Sequence, residues 1–269
     1  MRRLLLLLAV LPALAQEENR AFLGVVAVEG ERGVVVADVI ATSPASLAGI
    51  AKGDVLLSIG GRDIRRARDV DAALSGGKPG DEVAVAYRRG EGRAEARAKL
   101  VARPRPDTPR KRGATGFEAP AWHAYAWANV KKDEAPTPES TKGKVVVIHA
   151  FQSWCPGCAR WGFPVMKQVE EELKGADDVV LFHLQTVFEG ASENTPERAA
   201  KEIAKYKIAV PCGYDARVDG AGESLLMERY GTDGTPWTVV IDRKGVVRFN
   251  AFTPADSKTL VALVQELRK

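Results

Sequence analysis

The chain has 269 residues, 45% of them apolar and 28% charged, enough to bury two modest cores. Its formal charge of +4 includes Arg2 and Arg3; without them it is about +2, a balance that gives no basis for nucleic-acid binding. Three cysteines are far too few for a disulfide-built scaffold, and a close pair with one distant thiol reads instead as a working pair.

The first fifteen residues, "MRRLLLLLAVLPALA", carry two arginines, then an apolar stretch too short to span a bilayer, then Ala13-x-Ala15 before a polar "QEEN". That pattern is a secretory signal peptide, 1–15, cut before Gln16; an uncleaved anchor is the alternative. No other stretch approaches the roughly 20 apolar residues of a membrane span. The expectation is an exported protein, soluble after cleavage, in the bacterial periplasm or another extracytoplasmic, disulfide-permissive space.

In residues 20–103 the runs "GVVVADVI" and "EVAVAYRR" read as strands, and "ARDVDAALSG" places Val70, Ala73 and Leu74 at helical spacing. Glycines at 49, 53, 60, 61, 76, 77 and 80 punctuate them. A small, mostly β module with one or two short helices follows. Its "AFLGV", "SPASLAGIAKGDVLLSIGGRDI" and "GGKPGDEVAVAYRR" together resemble a PDZ domain of the kind attached to bacterial exported proteases, with Gly49, Gly53, Asp54 and Gly60 as the most specific matches. The resemblance implies a groove for a partner's C-terminal peptide, added as a strand, with the carboxylate held on backbone amides. The matching loop is Phe22, Leu23, Gly24 and Val25, and Val70 and Leu74 would flank the groove. A module that only spaces or packs is the other reading.

Residues 104–115, within "ARPRPDTPRKRGATG", alternate proline and basic residues and read as a stiff, solvated linker; contact of the basic run with acidic lipid is the alternative. From 116 to 269 the pattern changes. The strand candidates "KVVVIHAF", "DVVLFHL", "TVVID" and "VVRFNAF" alternate with helical segments, as in an α/β domain with buried central strands. "DRKG", 242–245, is a turn joining the last two strands. The last helix is expected to start with Thr253 as N-cap and Pro254 at its first position, with Leu260, Leu263, Val264 and Leu267 on its inner face.

In "SWCPGC" a strand ending near Gln152 and a helix beginning at Cys155 would set the first sulfur over unpaired backbone amides, where the helix dipole favours thiolate. Its pKa is then expected below ~8.5, in the roughly 3.5–7.5 range of such motifs. Cys158, one turn further in, would lie deeper. The first sulfur can attack a disulfide and the second can resolve the mixed disulfide. Structural zinc lacks a convincing ligand set, since neither Cys212 with one histidine nor any other spacing completes it. A copper carrier could add His149, His183 or a methionine, though the methionines form no cluster. A purely structural disulfide would close too small a loop to constrain the chain much.

"GTDGTPWTVVID", 231–242, is similar to the segment that thioredoxin-fold proteins place opposite the C-x-x-C. With "APAWHAYAW" upstream as an extra strand, residues 116–269 resemble the TlpA-like redoxins, exported thiol-disulfide oxidoreductases. The resemblance implies an α/β thioredoxin fold with Cys155 as nucleophile, Cys158 as resolving cysteine and Pro236 as a cis proline that presents the Thr235 backbone to substrate; a trans proline at a strand start is the alternative. It also implies protein thiol or disulfide substrates, and a membrane electron donor or another thiol protein as partner. No cofactor beyond the redox-active pair and no metal is expected.

Pro156-Gly157 departs from the common Gly-Pro order and leaves the direction of electron flow open. His149 stands where relatives carry Asp or Asn; it reads either as a proton relay for Cys158 or as a buried histidine satisfied by the backbone. Cys212 reads as a small buried residue at a strand end or as a second resolving partner. Peroxiredoxins carry proline seven residues and Thr or Ser three residues before their peroxidatic cysteine; Ile148 and Gln152 stand there, which argues against a peroxidase. A non-enzymatic adaptor, with a working PDZ-like groove and the second domain as scaffold, is the reading from a different class.

Overall fold

The computed structural model describes residues 20–103, 111–190, 193–220 and 222–269. The expected signal peptide, 1–15, and most of the expected linker, 104–115, lie outside the described residues. Among the described residues no helix is long and apolar enough to cross a membrane. They form two compact units, one holding 20–103 together with 217–220 and the other holding the remainder.

The first unit is mostly β. Strands β1 (Ala21–Phe22), β2 (Val25–Gly30), β3 (Gly33–Val39), β4 (Val55–Ile59), β5 (Arg62–Asp63), β6 (Glu82–Arg89), β7 (Gly92–Lys99) and β8 (Val101–Ala102) are joined by helices α1 (Pro44–Leu47) and α2 (Asp69–Leu74). The main sheet runs β2-β3-β4-β6-β7, all antiparallel, with β5 paired to β4 and a separate β1-β8 pair. β2 is therefore an edge. Gly60 and Gly61, at φ +57° and +78°, make the β4–β5 turn that L side chains rarely adopt. The Asp54 carboxylate, 1% exposed, takes two bonds of 2.8 Å from Arg89 and one of 2.8 Å from the Ala51 N–H. Burial raises its pKa, but these donors outweigh burial and leave it below its ordinary value.

The second unit is α/β. Its strands are β9 (Ala124–Ala128), β10 (Val145–Phe151), β11 (Val179–Gln185), β12 (Cys212–Asp215), β13 (Trp237–Ile241) and β14 (Val247–Phe252). Its α-helices are α3 (Phe163–Glu172), α4 (Pro196–Tyr206), α5 (Leu225–Tyr230) and α6 (Ser257–Leu267). The sheet order is β14-β13-β10-β11-β12-β9. β10 pairs parallel with β11 and antiparallel with β13, so it is central, and every one of its residues is buried. Its two faces feed two cores. Val146, Ile148 and Ala150 pack with Trp122, Phe182 and Trp237, whereas Val145 and Val147 pack with Met166 and Val169 of α3 and Leu260 and Val264 of α6. Burial on both faces explains why the strand reads as one unbroken apolar run.

The expected extra strand is β9, and the expected hairpin turn carries Gly245 at φ +80°. The start of the last helix needs correction. α6 is capped by Asp256, whose carboxylate accepts from the Thr259 N–H at 3.2 Å. Thr253 instead faces Thr238, with their hydroxyls 2.9 Å apart, and donates its N–H to Pro236 O at 2.9 Å. A buried hydroxyl committed to a neighbouring strand is no longer available as a cap.

Candidate active site

β10 ends at Phe151, and residues 152–155 turn the chain into a helix whose first residues are 156 and 157. The helix continues as a π-helical stretch, Cys158–Gly162, and then as α3. Pro164 lies just beyond the wide turn. It has no N–H to give a preceding carbonyl, and wider turns commonly absorb such a defect near functional sites.

A hub of buried amides holds the 152–155 turn. Asn194 Oδ1 accepts from the Ser153 N–H at 2.9 Å and from Gln185 Nε2 at 3.3 Å, while Asn194 Nδ2 donates to Gln152 Oε1 at 3.4 Å. Ser153 Oγ donates to Gln185 Oε1 at 3.1 Å, and the Tyr214 hydroxyl donates to Asn194 O at 2.6 Å. Gln152, Gln185 and Asn194 are almost wholly buried, so the turn cannot loosen without stranding several polar groups.

Cys155 and Cys158 are free thiols. The Cys158 N–H donates to Cys155 Sγ at 3.2 Å, and as a thiol Cys155 donates to Thr235 O at 3.4 Å. The hydrogen bond from the Cys158 thiol is the largest cause that brings the Cys155 pKa down to about 6; burial opposes it, while Thr235 and the Cys158 and Gly157 amides assist. Burial and the neighbouring sulfur push Cys158 far the other way. Cys155 is thus the thiolate at neutral pH and Cys158 the thiol, with 8% and 1% exposure respectively.

The Thr235–Pro236 bond is cis. Pro236 packs so closely on the helix that a β-carbon at Gly162 would stand 2.7 Å from it, and one at Gly157 would stand 2.8 Å from the Trp161 ring. Trp154, Trp161 and Phe188 are each 38% exposed and Phe252 is 50% exposed. Trp154 meets Phe188 edge-on at 6.4 Å, and Phe252 meets Trp237, the neighbour of Pro236, at 4.9 Å. Around the outer sulfur the surface is therefore apolar, the character that suits an extended or unfolded chain.

His149 lies on the β10 face that the helix covers. Parallel register sets it beside His183 of β11, and their Nδ1 atoms are 2.8 Å apart, so one ring donates and the other accepts. Both Nε2 atoms are buried without a partner. Burial holds His149 well below its ordinary pKa, with His183 adding to the effect, and burial alone brings His183 to about 3. The pair is neutral. Neither ring hydrogen-bonds Cys158 among the described residues.

Cys212 opens β12, 2% exposed, in the same apolar cluster as the pair, Phe151 and Phe163. Burial raises its thiol above the ordinary range. Among the described residues no three His, Cys, Asp or Glu side chains gather as a metal would require.

In the first unit, Phe22 ends β1, Leu23 and Gly24 form the loop and Val25 begins β2. Gly24 has φ +89°, and a β-carbon there would stand 2.3 Å from Ser43 Cβ, so only glycine fits. Val70 and Leu74 are buried on α2. Sequence reasoning missed Asn194, the exposed aromatics around Cys155, and Asp219, which caps the Leu23–Val25 loop. No short motif marks any of them. The adjacent tryptophans in "SWCPGCARW" are the one signal that was present.

Residues 21–100 match the PDZ domain family and residues 124–263 the Redoxin family. HhoB of Synechocystis sp., provisionally assigned as a serine protease, is 36% identical over 64 residues, which cover 24% of this chain; the chain spans 15% of that relative's length. Among solved structures, the thioredoxin-like superfamily protein SPOA0173 is 31% identical with a TM-score of 0.51, over 58% of this chain and 97% of that one. A thiol-disulfide isomerase from Corynebacterium glutamicum is 30% identical with a TM-score of 0.48, over 57% of this chain and 96% of that one.

Proposed function

The chain belongs to the redoxin family, with a PDZ domain before its redoxin domain, and from that premise we propose that it is an exported thiol-disulfide oxidoreductase acting through Cys155 and Cys158. The observation that carries the reading is the split between two adjacent sulfurs: one is drawn down to about 6 by its neighbour's thiol and by helix-start amides, and the other is pushed up by burial. Such a pair has one nucleophile ready and one proton held in reserve.

In the reducing direction, Cys155 thiolate attacks a substrate disulfide in line. A new S–S bond forms to Cys155, the substrate's own S–S bond breaks, and one substrate sulfur leaves as thiolate. Cys158 then loses its proton and attacks the Cys155 sulfur, forming the Cys155–Cys158 disulfide and releasing the second substrate sulfur. Two electrons have moved from the pair to the substrate, and two protons restore its thiols. The reverse sequence oxidises a dithiol. Thr235 O, 3.4 Å from Cys155 Sγ, can take the thiol hydrogen when Cys155 is protonated, and the neighbouring backbone offers strand-like contact to a bound segment.

His149 is assigned a positioning and proton-holding role rather than direct transfer to Cys158. The two facing Nδ1 atoms share one hydrogen, so a proton gained at one Nε2 can be matched by a proton lost at the other. Apolar aromatics around Cys155 favour protein substrates that are not fully folded. The PDZ domain would recruit a substrate or the electron donor, the latter a membrane protein or another thiol protein, and the linker would raise their effective concentration.

Reduction of insulin by dithiothreitol tests this directly. Wild type is expected to accelerate precipitation of the B chain and Cys155→Ser to leave the background rate; equal rates for the two would discard the enzyme reading and favour an adaptor.

A further inference from the structure

β2 lies at the edge of its sheet, so one side of it presents N–H and C=O groups for another strand. The chain itself answers that edge. Val218, 3% exposed, forms an antiparallel bridge with Val26, and the Asp219 N–H donates to Val25 O at 2.8 Å. Beyond the bridge, the Asp219 carboxylate drops into the loop before β2. Its Oδ2 accepts from the Leu23 N–H at 2.8 Å and the Gly24 N–H at 3.1 Å, and its Oδ1 accepts from Gly24 at 3.0 Å and the Val25 N–H at 2.9 Å.

Three converging backbone amides form an anion-holding concavity; their bonds oppose the burial of a carboxylate that is 3% exposed, and burial, the larger effect, leaves its pKa raised. The backbone is bent to deliver it. Asp219 stands at φ +54°, sparsely populated for any residue but glycine. Gly220 follows at φ +70°, and a β-carbon there would lie 2.7 Å from Ala67 O, so the segment passes hard against the start of α2. A short edge strand plus a carboxylate on three amides is what the end of another polypeptide would supply.

We propose that the PDZ groove is filled by the chain's own residues 217–220, with Asp219 standing in for a terminal carboxylate, so that a partner binds only by displacing them. The partner this fits is a chain end with a free carboxylate and an apolar last residue, because Phe22 beside the loop and Val70 and Leu74 of α2, the helix that the segment passes, are buried and apolar. The proposal rests on the peptide-binding part of the function above and adds self-occupation. In sequence the segment lies between β12 and α5, so it competes from an effective concentration set by a short tether, and a free ligand's apparent affinity falls by the populated fraction.

The test uses the full chain, its Asp219→Ala and Asp219→Asn variants, and a displayed library of random peptides with free C-termini. Peptides retained by Asp219→Ala are then measured against all three proteins, as free acids and as C-terminal amides, with backbone amide exchange in β6 and β7 as the check that the first unit is folded. Expected is binding of the free acids at least tenfold tighter to Asp219→Ala than to wild type, an intermediate value for Asp219→Asn, and loss of binding on amidation. Amide exchange at Leu23, Gly24 and Val25 should quicken in unliganded Asp219→Ala. Equal affinity for wild type and Asp219→Ala overturns self-occupation while leaving a working groove. No retention by any folded variant overturns both the groove and its closure.

Discussion

Two places in this molecule set an acidic group on backbone N–H donors, and the proposals above put them to opposite uses. At the start of the helix in the redoxin domain, the anion is the Cys155 sulfur itself, 3.2 Å from the Cys158 N–H. In the PDZ domain, the anion is the Asp219 carboxylate, held by the amides of Leu23, Gly24 and Val25. On the proposed function the first is the reagent, and the residues over it leave an apolar opening. The second occupies the seat of a ligand. The same physics, donors with no helical or sheet partner, thus yields a reactive corner where the anion must depart into a bond and a closed corner where it must be displaced.

The largest effect should come from deleting the reactive anion. Cys155→Ser is expected to lower insulin reduction by about three orders of magnitude or more, as removal of a nucleophile does; a loss of only a few-fold would move the chemistry to another residue. The tenfold gain in peptide affinity for Asp219→Ala stands next, since it separates a displaced charge from a reacting one. Third is the source of the depressed pKa. Alkylation of wild type should show an inflection near pH 6, the value at which Cys155 sits, and Cys158→Ala should move it upward by about one unit, because the neighbouring thiol is the largest lowering influence. An unshifted inflection would assign the depression to Thr235 and the backbone amides.

Smaller effects probe the scaffolding. Asn194→Ala strands the Ser153 N–H and the Gln152 and Gln185 amides, and should cost about 1–3 kcal/mol of stability in urea unfolding. A change within error would mean that the turn stands without its hub. The histidine pair gives a signal that is absent at neutral pH and develops only on acidification. Both imidazoles are held neutral below their ordinary pKa, while the unfolded chain takes up protons below about pH 6.5. Their contribution is therefore intact above pH 6.5 and is lost as pH falls, toward about 3 for His183. The loss should be roughly 1 kcal/mol per pH unit for each ring. His183→Leu should flatten that acid slope relative to wild type, and an identical slope would contradict burial as the cause.

Much of this was legible in the chain. Doubly buried strands such as β10 write themselves as unbroken runs of Val and Ile, and C-x-x-C after such a run fixes where a helix must start. The miss at the last helix has a local cause. "TPADSK" offers two good caps three residues apart, and only the strand beside it decides that Thr253 bonds Thr238 and leaves the cap to Asp256. His183 was visible in the sequence only as a possible copper ligand, and its pairing with His149 comes from register across a parallel pair. Asn194 and Asp219 act on residues 41 and about 195 positions away, and "VDGAG" reads locally as nothing more than a turn. Pairings made by topology leave no periodic trace.

The most direct measurement is mass spectrometry of Cys158→Ala after exposure to a protein disulfide such as insulin under native conditions. Expected is one covalent adduct, attached at Cys155, stable until a small thiol is added, with Cys212 unmodified. An adduct on Cys212, or none on a folded protein whose Cys155 is fully reduced, would contradict the assignment of nucleophile and resolving thiol.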